Sequence, residues 1–156
     1  MIKLRGLNNW KAKSDAMKKR VRVSATEHVK AKVWRIYLDA LRVSPQWSGN
    51  YAYNWAIDIN KQPSAYSNAF KEKDWAQLAR DRKVKYAGHP DAINAAMTAE
   101  RDTLELIKWN SDVRLVNHAP VAELIESGKV NLRPENLVPG GEGVMAYLKA
   151  KYKFTL

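Results

Sequence analysis

Cysteine is missing from the 156-residue chain. Its absence excludes a disulfide framework, a thiolate zinc site and a cysteine nucleophile, and suits assembly in a reducing cytoplasm. Histidine is scarce, with three in all. His28, His89 and His118 show neither HxH nor HExxH spacing, so each reads as a surface or turn residue rather than a metal ligand. No apolar run approaches the roughly 18 residues that a membrane helix needs. The opening MIKLRGLNNWKAK places charges and Asn where a secretory signal needs an apolar stretch of about seven or more. The expectation is a protein neither exported by that route nor spanning a membrane.

What is present fits one folded domain covering residues 1–156, since domains run roughly 100–200 residues. The composition is 46% apolar and 28% charged, within the globular range. Basic residues dominate: the net charge is +11 and the pI about 9.8. The first 35 residues hold eleven Lys and Arg against only Asp15 and Glu27, so +9 of the excess lies there. Such a concentration points to nucleic acid or an acidic protein surface. Six Trp and seven Tyr supply anchors for a core and for interfaces.

From Ser14 to Val43, Met17, Val21, Ala25, Val29, Val33, Ile36/Tyr37 and Ala40/Leu41 recur at intervals of three and four, which marks a long amphipathic helix. Ser24 and Glu27 have capping-box spacing, so a start near Ala25 is also open. The Ser44-Pro45 pair should end the helix. Alternation of Tyr51, Tyr53, Trp55, Ile57 and Ile59 predicts a strand over residues 51–60 with one buried face. Residues 61–90 have weak periodicity, with at most a short helix around Lys73–Arg82. Asp91 after Pro90 is a plausible N-cap for a second helix running towards Trp109. Residues 112–117 alternate as a short strand, and Pro120 opens a helical turn over Val121–Glu126 that Gly128 can close. An irregular C-terminal arm follows, about 129–156, in which Val144, Met145, Leu148 and Tyr152 fit a last helix or Tyr147–Phe154 a last strand.

No constellation for catalysis stands out, and no cofactor is implied. The acidic pairs Asp102/Glu105 and Glu123/Glu126 have i,i+3 spacing on helices, which solvated helix faces produce routinely. Gly140-Gly141-Glu142-Gly143 lacks the Lys-Ser/Thr of a phosphate loop and reads as a turn. Trp34 and Trp55 lie on periodic faces and read as core; Trp10, Trp47 and Trp75 are candidates for contact with a neighbour. Lys11, Lys13, Lys18, Lys19, Arg20, Arg22, Lys30, Lys32 and Arg35, with Trp10 and Trp34 nearby, allow a nucleic-acid reading. Of these, Lys18, Lys19, Arg20 and Arg22 are the densest set for DNA or for an acidic partner.

The order of elements, with Ser44-Pro-Gln-Trp-Ser-Gly-Asn50, Val113-Arg-Leu-Val-Asn-His-Ala-Pro120 and Glu126-Ser-Gly128, resembles the tail-completion and neck proteins of tailed bacteriophages. In that family a helix ends at a proline, a short Ser/Asp-Gly turn leads into a strand, and a later strand runs into Asn-x-x-Pro-Tyr and then Glu-x-Gly. Pro45, Ser48, Gly49, Asn117, Pro120, Glu126 and Gly128 match; Gln46-Trp47 and Val121 depart. The resemblance covers roughly residues 14–140 and implies an α+β fold, a small mostly antiparallel sheet with the long helix packed across it and a second helix. It also implies a structural virion protein, assembled in the host cytoplasm. Its expected place is a homo-oligomeric ring that joins portal or adaptor to tail proteins and lines the DNA channel, with non-specific contact to packaged DNA. The rival is a basic nucleic-acid-binding module, and a small enzyme is a third class without a candidate active site.

Overall fold

The computed structural model describes residues 7–44, 50–60, 65–67, 90–120, 122–127 and 143–153. The first helix, α1, spans Leu7–Val43. Its 37 residues are about 55 Å long at 1.5 Å each. Neither Gly nor Pro interrupts this stretch, while Lys, Arg, Ala and Leu favour it. The helix therefore starts ahead of Ser14, and Ser24 lies inside it rather than capping it: the capping-box spacing is overridden by a run that has no breaker. At the other end Ser44 Oγ donates to Ala40 O at 2.6 Å and accepts from Trp55 Nε1 at 2.7 Å, fastening the helix terminus to the sheet.

A short helix, α2 (Asn50–Tyr53), precedes strand β1 (Trp55–Ile59). The expected strand over 51–60 is thus shortened, because Tyr51 and Tyr53 belong to a helical turn. The asparagines at either end of that turn explain the difference. Asn54 N donates to Asn50 O at 3.2 Å, and Asn54 Nδ2 lies 2.8 Å from Asn50 O and 3.0 Å from Asn50 Oδ1. Asx side chains offer the backbone this alternative to a ladder. Nor is one face of β1 left to solvent: Trp55, Ala56, Ile57 and Asp58 are all buried.

Helix α3 spans Pro90–Glu105. Proline fits a first helical position, where its missing N–H goes unneeded, so Asp91 falls within the first turn and is not the cap expected of it. Strand β2 (Val113–Asn117) pairs antiparallel with β1 in the register Trp55↔Asn117, Ile57↔Leu115 and Ile59↔Val113. Asn60, at a left-handed φ of 54° that Asn tolerates, receives Asp112 N at its side chain and donates its own N–H to Asp112 O. Helix α4 covers Ala122–Glu126 and α5 covers Val144–Tyr152. Residues 144–152 of the C-terminal arm are therefore a helix and not a strand. Among the described residues the architecture is α+β, a two-stranded antiparallel sheet with helices packed around it.

The core gathers Tyr37, Ala40 and Leu41 of α1, Tyr51, Trp55, Ile57, Ala96, Ile107, Ile125, and Val144 and Leu148 of α5. Val29 and Val33 mark where α1 begins to meet this core. The part of α1 ahead of them projects, with Trp10, Met17 and Val21 exposed. The segment expected to hold a short helix, Lys73–Arg82, lies outside the described residues, as do the Pro45-Ser48-Gly49 turn and Gly128.

Candidate functional site

Two places hold the residues that the sequence singled out. In the first, segments distant along the chain close on Tyr51. Asn117 Nδ2 donates to Tyr51 O at 2.9 Å, and Asn117 Oδ1 accepts from Ala119 N at 2.9 Å. Asn117 therefore binds α2 and shapes the exit from β2 at once. Tyr51 Oη donates to Glu126 Oε1 at 2.5 Å, and Glu126 Oε2 accepts from Met145 N at 2.8 Å. Burial, with the Glu126 charge beside it, raises the Tyr51 phenol well above its ordinary value, so it remains a donor. Gly143 completes the joint: a Cβ there would stand 2.7 Å from Glu126 Cα and 2.9 Å from its carbonyl oxygen. Pro120 is exposed in the turn between β2 and α4. These groups fix one another.

The second place is the projecting half of α1. Lys18, Lys19, Arg20 and Arg22 are exposed there. Arg22 lies over the Trp109 ring at 5.3 Å from its centroid, a cation–π contact. Trp10 sits on the regular helix, 76% exposed, although its sequence surroundings suggested an irregular segment. Trp47 and Trp75 lie outside the described residues. Trp55 is buried and Trp34 half-buried, stacked on Tyr37 at 5.4 Å.

A third cluster escaped the sequence reading. Glu100 of α3 reaches β1 and accepts the Ile57 N–H at 3.1 Å. Burial raises its carboxyl above the ordinary value, and nearby Asp58 adds to the rise, while hydrogen bonds from Ile57 and Thr103 oppose it. His118 Nε2 lies 4.0 Å from Asp58 Oδ1. Tyr37, its phenol raised by burial and by Glu100, donates to Ala96 O at 3.0 Å. Only the spacing of Glu100 about one turn from Ala96 and from Leu104 on α3 hinted that it faces inward. Among the described residues no group of three His, Asp or Glu side chains could hold a metal ion.

No protein-family model matches the chain, nor does any curated protein or solved structure match it significantly.

Proposed function

We propose that this protein is a structural subunit of the ring at the head–tail neck of a tailed bacteriophage, joining portal or adaptor to tail. The observation that carries the reading is the convergence on Tyr51. Asn117 and Glu126, from two of the short motifs shared with neck proteins, both bond this residue, which follows closely on the third motif, Pro45-Ser48-Gly49, in the sequence. Motifs that serve as joints suit a protein whose work is to hold a shape. The projecting basic helix suits a subunit that reaches a neighbour or the DNA passing through the ring.

Native mass measurement and electron microscopy of the purified protein test the reading, with a closed ring expected. A basic nucleic-acid-binding module is the second reading, favoured by the exposed Lys18, Lys19, Arg20 and Arg22. It predicts a monomer or dimer that binds a defined duplex sequence with a Kd of the order of 10 nM at physiological salt. A channel-lining subunit binds duplex weakly, without sequence preference and with a steep salt dependence.

A further inference from the structure

Along the projecting half of α1, Trp10, Ser14, Met17, Val21 and Ala25 recur every three or four residues, which puts them on one face. Met17 is 68% and Val21 59% exposed. The same face forms one wall of an open groove of about 380 Å³, lined by Met17, Val21 and Ala25 with Lys18 and Arg22, and closed on its far side by Trp109. Trp109 itself is half exposed and held in place by Arg22. From Trp10 to Ala25 the stripe is about 22 Å long, or four turns.

We infer that this groove docks an amphipathic helix of a partner protein, one whose apolar seam is flanked by Asp and Glu. Length and spacing favour a helix, because knobs every three or four residues along one helix are met by the same spacing on another. Charge selects the partner. Residues 7–25 carry Lys11, Lys13, Lys18, Lys19, Arg20 and Arg22 against Asp15 alone, so pairing with the same stripe of a second copy sets like charges against each other. Acidic flanks meet these residues favourably and set partner choice, as charges beside a helix seam do. Duplex DNA satisfies the charges but gains nothing from Met17 and Val21, since its phosphate backbone offers no apolar seam. The inference stands on α1 and Trp109 and is independent of the ring reading: a ring without peptide affinity removes the groove's role only, and affinity without a ring leaves the groove alone standing.

The test uses the full chain at about 0.15 M salt and a labelled synthetic helix of about three heptads, with Leu at the seam and Glu beside it. The flanking Glu residues also keep the probe from pairing with itself. Controls replace its Leu by Ser, or its Glu by Lys, and a mixed-sequence duplex serves as the nucleic-acid probe. Expected is binding of the parent peptide at least about tenfold tighter than either control, and a loss of about tenfold or more with the Met17→Ser/Val21→Ser double variant, whose helix content by circular dichroism is unchanged. Equal binding of the Ser control, or parent-peptide binding that ignores the double variant, overturns the inference in favour of charge alone. Preference for the duplex overturns it in favour of nucleic acid. Self-association of the free chain that the double variant abolishes assigns the groove to a second copy.

Discussion

The two halves of α1 share one apolar spacing and differ in what covers it. Val29, Val33, Tyr37, Ala40 and Leu41 pack into the core where α1 meets β1, α3 and α5, and Tyr37, Ala40 and Leu41 are fully buried. Trp10, Met17 and Val21 repeat at the same intervals and face outward. Periodicity reports which face of a helix is apolar; whether that face is covered depends on how much structure the rest of the chain builds beside it. A five-residue strand spans about 17 Å, a fraction of the length of α1, so the sheet reaches only one half.

The sharpest way to break this comparison is to truncate both halves. Leu41→Ala should cost about 2–5 kcal/mol in chemical denaturation, whereas Val21→Ala should stay within about 0.5 kcal/mol. Comparable losses would show that the projecting half is packed in solution.

Next in size are changes at the joint on Tyr51, which secures the covered half through α5. Gly143→Ala forces a Cβ against the Glu126 backbone and should cost about 1–3 kcal/mol. A thermal midpoint equal to that of the parent protein would mean that α4 and α5 separate without loss.

A smaller effect concerns the carboxyl buried behind β1. Glu100 titrates above the ordinary 4.5, so the folded protein keeps this proton longer than the unfolded chain. The stability it contributes is full below the unfolded value and is lost as pH rises through the folded one. The thermal midpoint of the parent protein should therefore decline across the window just above pH 4.5, and Glu100→Gln should flatten that decline. An identical slope in both would place the Glu100 side chain in water.

The smallest expected change in stability is in the projecting half. Neutralising Lys18, Lys19, Arg20 and Arg22 together should move the unfolding free energy by about 1 kcal/mol or less, because exposed charges contribute little and, among the described residues, the Arg22–Trp109 contact is the one interaction of the set with a partner ring. Under the ring proposal the same variant yields tail-deficient or leaking particles in an assembly assay.

The body of α1, α3 and β2 were legible because each rests on local information: apolar spacing from Met17 to Leu41, a proline at position 90, alternation from Val113. The strand at Tyr51 was misread because its alternation is real while its backbone is claimed by Asn50 and Asn54, whose side chains offer a local turn. Asn117 and Glu126 were named as motif residues, yet that both grip Tyr51 depends on the register of β1 with β2, which no local pattern encodes. Trp109 was passed over for the same reason. It lies a few residues beyond α3, and only the return of that segment against α1 lays its ring beneath Arg22.

The position of α5 has a consequence for synthesis. Val144 and Leu148 complete the core, and α5 is further tied to α1 where Asp39 accepts from Lys151 at 2.6 Å and from the Tyr152 hydroxyl. About 100 residues separate the end of α1 from the start of α5, which a ribosome takes about 5–20 s to add. For that interval the part of α1 that α5 covers is open, on a chain whose first 35 residues hold +9 of the net +11 charge. The covered half of α1 is complete only once α5 has joined β1 and α3 against it.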